Sequence, residues 1–153
     1  MNRGETVAIR AAGPGDVAAL VAGYEWLFAP PGAMPPRWDP DAAAQALGRA
    51  IAAEGSEVFV AEHECELVGL CTVYLDLDSV RFGSRAWVED LAVHPERRSL
   101  GTGKRLLDTA KDWARERGAT HLELDSAETR EAAHRFYDRE RPSWRSTSFG
   151  WEL

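Results

Sequence analysis

The chain has 153 residues, the size of one domain that can bury about 68–70% of its unfolded surface. With 44% hydrophobic and 28% charged residues, the composition excludes disordered, collagen-like and disulfide-scaffold proteins. The net charge of −7 excludes a general nucleic-acid binder, because such proteins carry basic surfaces.

The first half of the chain alternates between strand and helix periodicity. Asp16 follows a Gly-Pro-Gly break and can cap a helix, and Asp39 with Pro40 marks the start of a second helix that Gly55 ends. Two apolar runs close together then predict a β-hairpin. The predicted elements are a strand at 7–10, a helix at 17–28, a proline-rich loop at 29–36, a helix at 40–54, and strands at 57–62 and 67–75.

The second half has a strand–helix–strand order, which predicts a parallel pair of strands joined by a crossover. Because the earlier strands read as antiparallel, the sheet should be mixed. The sequence therefore predicts a single α/β domain over residues 1–153, with a twisted sheet of six to seven strands flanked by about four helices in the order βααββ-βαβ-αβ(β). The predicted elements here are strand 87–93, helix 100–117, strand 121–125, helix 129–138 and a tail strand at 144–153.

Cysteine content and chain termini indicate a cytoplasmic protein. Cys65 and Cys71 cannot build a disulfide framework and are expected to be reduced thiols. Met1 to Glu5 contain no apolar region of a secretory signal, and no apolar run is long enough to cross a membrane. No metal site is expected, because His63-Glu64-Cys65 lies on a tight turn with no second cluster at zinc spacing.

One short segment is basic in this acidic chain. Residues 97–105 carry four positive charges and no negative charge, and they lie between a strand and a helix. Unpaired amides at a helix N-terminus, with glycines that allow close approach, form a site for phosphate. The P-loop and dinucleotide-binding patterns both fail here, which leaves Arg-x-x-Gly-x-Gly. The alternative is a loop that binds no anion and uses its glycines only for turn geometry.

The segment Arg98-Ser99-Leu100-Gly101-Thr102-Gly103, after Leu91-Ala92-Val93, closely resembles the acetyl-CoA signature of the GNAT superfamily of N-acetyltransferases. Arg130 to Tyr137 resembles the family's second motif, Asn-x-x-Ala-x-x-Phe-Tyr. The resemblance implies acetyl-CoA as cosubstrate, with the pyrophosphate in the glycine loop and the pantetheine arm along the preceding strand. The implied cofactor-binding residues are Leu91, Ala92, Val93, Arg98, Ser99, Leu100, Gly101, Thr102, Gly103, Lys104 and Arg130.

Two departures from the family pattern concern the second motif. Arg130 replaces the asparagine that normally bonds the cofactor, and Arg141-Pro142 stands where the family often has glycine and an aromatic residue. The first change concerns the hydrogen bond to the cofactor, and the second concerns the turn into the last strand and with it part of the acceptor site.

The resemblance also implies catalytic roles. Tyr137 matches the tyrosine that protonates the departing thiolate, the alternative being a core aromatic residue. Glu89 is the candidate base, acting through water, because the run around it resembles that of polyamine acetyltransferases; Asp90 is the reserve. Strict strand alternation would place Val88, Asp90 and Ala92 on one face and Glu89 on the other.

The expected function is transfer of acetyl from acetyl-CoA to a primary amine by direct attack. Aromatic and acidic side chains in the first two helices and the loop between them favour a small cationic metabolite or antibiotic-like amine. A non-catalytic acyl-CoA sensor and a protein-lysine or N-terminal acetyltransferase are the alternatives. No nucleic-acid or membrane partner is expected, and the aromatic tail is a candidate homodimer interface.

Overall fold

A five-stranded sheet organises the chain, and helices cover both of its faces. In the computed structural model, which describes residues 6–153, the strands lie in sequence order, β1-β2-β3-β4-β5. Neighbours are antiparallel except β4 and β5, whose parallel pairing confirms the predicted mixed sheet. The sequence expectation for Met1 to Glu5 lies outside the described residues. The strands are β1 Ala8–Ala11, β2 Ser56–His63, β3 Glu66–Ser79, β4 Gly83–Val93 and β5 His121–Glu123.

The helices begin where the sequence supplies start signals. Asp39 caps the third helix, its carboxylate accepting from Asp41 N at 2.9 Å, as predicted. Asp16 precedes the first helix, but its carboxylate accepts instead from Gly13 N and from Arg10. Within residues 6–153, no helix is long and apolar enough to cross a membrane. The helices are α1 Val17–Gly23, α2 Glu25–Phe28, α3 Pro40–Ala52, α4 Thr102–Glu116 and α5 Glu131–Arg139.

The sheet carries one hydrophobic core on each face. On one face, α4 contributes Leu106 and Trp113, which pack with residues of β2, β3 and β4. On the other face, Leu20 of α1 and Leu47 of α3 pack over β2 and β3. Leu20 and Leu106 have no exposed surface, so each layer is anchored by a fully buried leucine.

A β-bulge in β4 changes which side chains face which core. Thr72 pairs with Asp90 and the next residue of β3 pairs with Val88, so Glu89 is the extra residue. Val88 therefore lies in the α4 core, whereas Ala92 lies in the core beneath α1 and α3. The predicted strict alternation, which put Val88, Asp90 and Ala92 on one face, is wrong because the bulge reverses the facing of the strand at this point.

The sheet has five strands rather than the six to seven predicted. The residues from 144 to 153 form no strand and are exposed along their whole length. The chain leaves α5 through Arg141, which has a φ of 53°, and then Pro142, which has no N–H for a sheet ladder. Among residues 6–153, the tail's hydrogen bonds come from side chains, such as Ser148 Oγ to Asp125 Oδ2 at 2.9 Å. Its predicted role as a dimer interface stays a prediction.

Candidate active site

A cavity opens where β4 and β5 separate. The two strands pair only from Arg85 to Trp87 opposite His121 to Glu123. Beyond that point, a cavity of about 320 Å³ lies between the second half of β4 and the residues that follow β5. The segment around α2, the loop at 33–38 and α5 supply its remaining walls. The free edge of β4 thus faces a half-open cavity.

The glycine loop lies at the N-terminus of α4, directly after β4. Gly101 is the N-cap and adopts the left-handed conformation, with φ 85° and ψ −1°, and it gives the helix no side-chain cap. A Cβ at Gly103 would lie 3.6 Å from Phe136 and 3.7 Å from Val93, so this glycine packs the helix start against α5 and β4. Because the first amides of α4 lack a side-chain acceptor and the helix dipole is positive here, the loop suits an anion.

Arg98, Lys104 and Arg105, basic side chains near this loop, are held by other protein groups. Arg98 donates from Nε to Val93 O at 3.1 Å and from Nη2 to Trp26 O at 3.3 Å. Lys104 Nζ pairs with Asp108 at 2.8 Å and with Glu140 at 3.2 Å. Arg105 donates to a backbone carbonyl that precedes β1. The positive character of the loop therefore rests largely on backbone amides and the helix dipole.

Asp90 forms a partly buried polar cluster with Tyr24 and Thr72 at the cavity wall. Its Oδ2 accepts from the Tyr24 hydroxyl at 2.6 Å and lies 3.4 Å from Thr72 Oγ1, and its amide donates to that same Oγ1 at 3.0 Å. Burial raises the pKa of the Asp90 carboxyl above its usual range. Burial and the Asp90 carboxylate together raise the pKa of Tyr24, so its hydroxyl keeps its proton and stays a donor.

Glu89, the bulged residue, is the exposed member of the carboxylate pair. Its Oε2 accepts from Trp87 Nε1 at 2.7 Å, which fixes the side chain at the cavity mouth. Glu89 and Asp90 both line the cavity although they are adjacent in sequence. Val88 and Leu91 line it as well, because the cavity lies at the free edge of β4, where residues from both faces of the strand reach it.

Tyr137 reaches the same cavity from α5. Burial raises the pKa of Tyr137 to about 12, and the charge of Arg130 acts in the opposite direction. Arg130 also lines the cavity and donates from Nη2 to Leu27 O at 2.8 Å. The structure thus brings the two predicted catalytic residues, Tyr137 and Glu89, together with Asp90 around one space.

Sequence reasoning missed one polar group in this cavity. Ser126, which follows β5, lines the cavity, and its buried Oγ has no hydrogen-bond partner among the described residues. A buried hydroxyl without a partner is costly unless a ligand completes it. No local sequence signal could identify Ser126, since it belongs to no motif. Nowhere in residues 6–153 do three or more His, Cys, Asp or Glu side chains gather as a metal site.

Comparison with known proteins decides the family. The model of the acetyltransferase (GNAT) family matches residues 20–141 of the chain. The chain belongs to this family. Over 93 residues it is 37% identical to the uncharacterized N-acetyltransferase YhdJ of Bacillus subtilis (strain 168). That match covers 61% of the chain but only 65% of the relative, so the chain spans slightly less than two thirds of that protein's length.

Solved structures share the whole fold. The aminoglycoside N-acetyltransferase AAC(6')-Iy, in complex with CoA, superposes with a TM-score of 0.85 at 15% identity, covering 100% of this chain and 98% of that chain. A ribosomal-protein-alanine N-acetyltransferase from Brucella melitensis biovar Abortus 2308 gives a TM-score of 0.77 at 22% identity, covering 97% and 100%. At these identities the likeness shows the fold alone, and the GNAT fold predicted from the two motifs is confirmed.

Proposed function

We propose that this GNAT-family protein transfers acetyl from acetyl-CoA to the primary amine of a small cationic molecule. The observation that carries the proposal is the continuity of three features: the anion-binding loop before α4, the free edge of β4, and the cavity holding Tyr137 and the Glu89–Asp90 pair. The similar fold that was solved in complex with CoA supports the choice of cosubstrate.

Acetyl-CoA would enter along the loop and the free strand edge. The amides of Gly101 to Lys104 would bind the pyrophosphate, and the backbone of Leu91 to Val93 would pair with the pantetheine arm. The side chain of Ala92 lies in the core beneath α1, so Ala92 can contribute only its backbone. Leu91 lines the cavity beside the carboxylates, and its amide would polarise the thioester oxygen.

The reaction needs an uncharged amine, support for an oxyanion and a proton for the leaving thiolate. Glu89 would take the amine's proton through water as the new N–C bond forms. Tyr137 would give a proton to the sulfur as the C–S bond breaks. Burial raises the pKa of Tyr137 to about 12, so its hydroxyl keeps its proton until the departing thiolate forms beside it as a base.

Direct attack agrees with the placement of the cysteines. Cys71 is fully buried in β3, and its raised pKa keeps it a thiol at neutral pH. Cys65 is exposed on the turn between β2 and β3 and is not among the residues that line the cavity. Neither cysteine is arranged as a nucleophile, so the acetyl group would pass to the amine without an acetyl-enzyme.

The test is turnover of acetyl-CoA against a panel of small amines, with thiol release and product mass as readouts. We expect N-acetylated product, and we expect Glu89→Gln to lower kcat by about 100-fold, the lower part of the range for general base catalysis. Glu54→Gln, a change of the same kind at an exposed position outside the cavity, should match the wild type. Full activity in Glu89→Gln would refute the assigned role. Binding of CoA without turnover of any amine would favour the sensor, and turnover of peptides alone would favour a protein acetyltransferase.

A further inference from the structure

A second cavity adjoins the first. It has a volume of about 190 Å³ and lies between α1, α3 and the sheet. Tyr24, Trp38 and Asp90 line both cavities, so these three residues form the boundary between the two spaces. Tyr74 of β3 and apolar residues of α3, including Ala46, line only the second cavity. Neither Glu89 nor Tyr137 reaches it.

The walls of the second cavity combine aromatic rings with one carboxylate. The rings of Tyr24 and Trp38 are stacked, with centroids 5.5 Å apart and planes at 29°. Phe28 packs edge-on against Trp38 at 4.7 Å, which holds the indole in place from the other side. Aromatic faces beside a carboxylate attract a cation, since ring quadrupole and negative charge act together.

Asp90 supplies that negative charge, and one of its two carboxylate oxygens accepts no hydrogen bond from Tyr24 or Thr72. Both of its side-chain hydrogen bonds, from Tyr24 and Thr72, end on Oδ2. Oδ1 takes part in neither bond. Burial, with the charges of Asp90 and Glu89, raises the pKa of Tyr74, so the Tyr74 hydroxyl keeps its proton and the ring stays neutral. The helix α3 contributes no charged lining group on this side.

From these features we infer that the second cavity binds a second ammonium group of the acceptor, so that the preferred substrate is a diamine. One amine of the acceptor lies at Glu89 and Tyr137 and is acetylated. The other lies against Tyr24, Trp38 and Tyr74, with its charge beside Asp90. This inference rests on the proposed function and deepens it, because it gives the two adjacent carboxylates separate tasks.

The experiment compares linear diamines with the monoamines of the same chain length as acetyl acceptors. For the wild type we expect kcat/KM for the better diamines to exceed that of the matched monoamine by about tenfold or more, the range that a cation–π contact with ion pairing supplies. Tyr74→Leu should bring this ratio close to one, mainly through a higher KM for the diamine. Ala46→Met, which places a longer side chain with high helix propensity at an exposed position that lines the cavity, should do the same.

Several outcomes would overturn the inference. It fails if the wild type does not distinguish diamine from monoamine, or if Tyr74→Leu and Ala46→Met both keep the wild-type ratio. Glu54→Gln is the control and should keep the wild-type ratio, which would show that a surface substitution outside both cavities does not alter it. If no amine is acetylated, the proposed function fails. Calorimetric binding of the same amine pairs to the CoA-bound protein then decides the inference, since tighter binding of diamines would still support it and equal binding would refute it.

Discussion

The substitution Gly101→Ala tests the left-handed backbone conformation at the start of α4, in the loop that we propose binds an anion. Gly101 has a φ of 85°, and a Cβ added there would meet no heavy atom within 4 Å. Alanine therefore causes no steric clash, and the cost is conformational, about 1–2 kcal/mol for an L-residue in the left-handed region. If the loop keeps its shape, the free energy of unfolding, measured by urea denaturation, should fall by this amount.

If the loop of the Gly101→Ala variant relaxes instead, the same conformational cost lowers the affinity for acetyl-CoA. Acetyl-CoA would then have to restore the left-handed conformation of residue 101, and 1–2 kcal/mol corresponds to about 5- to 30-fold weaker affinity. Calorimetric titration with acetyl-CoA measures this part. Lost stability and lost affinity should therefore together account for about the full conformational cost, however it is divided between them.

Gly48→Ala is the matched control. Gly48 lies inside α3, and a Cβ there also meets no heavy atom within 4 Å, but its backbone is helical. Alanine at this position should raise the free energy of unfolding by about 0.5–1 kcal/mol and leave acetyl-CoA affinity unchanged. The reasoning is refuted if Gly101→Ala changes neither stability nor affinity, or if both variants shift them in the same direction.

Two further predictions concern catalysis and acid stability. Tyr137→Phe should lower kcat by about 100-fold or more while the KM for acetyl-CoA stays within about twofold, because only proton donation is lost. Steady-state kinetics measure both constants. An unchanged kcat would show that Tyr137 serves only in packing. Asp16 is paired with Arg10 at 2.8 Å, and its pKa is lowered to about 2 by the Arg10 guanidinium and the Gly13 amide. The stability that this carboxylate contributes is present above its usual pKa of 3.8 and is lost as pH falls toward 2, so Asp16→Asn should flatten the decline in unfolding free energy across that window. An equally steep decline in both proteins would contradict the assignment.

Local signals predicted the parts of the fold that short segments determine. The start of α3 follows from Asp39 and Pro40, whose capping and fixed φ act within one turn. The position of the glycine loop between β4 and α4 follows from its glycines, which act locally as well, whereas its binding of an anion stays a prediction. The hairpin of β2 and β3 follows from two apolar runs joined by a short turn.

The bulge at Glu89 could not be predicted in this way. An extra residue in β4 leaves no mark in the residues of that strand, since it is defined by pairing with Thr72 and Val73 of the neighbouring strand. The bulge matters for the fold because it places Val88 and Ala92 in different cores. The unpaired hydroxyl of Ser126 could not be predicted from the sequence either, because its lack of a partner depends on how β4 and β5 separate.

The tail at 144–153 shows the opposite error, because its local pattern predicted a strand that does not form. Aromatic and serine residues alternate there as they do in a half-buried strand, yet Trp151 is 81% exposed. A strand needs a partner edge as well as a pattern, and the turn through Arg141 and Pro142 leads the chain away from such pairing.

A single-turnover reaction with isotope-labelled acetyl-CoA tests the central claim most directly. The purified protein is mixed with labelled acetyl-CoA and a diamine, quenched at intervals, and both the small molecules and the protein are analysed by mass spectrometry. The predicted result is label in the amide of the product, with free CoA formed at the same rate and no labelled protein at any time. Label that stays on acetyl-CoA for every amine offered, or that accumulates on the protein before product forms, would contradict direct acetyl transfer in this cavity.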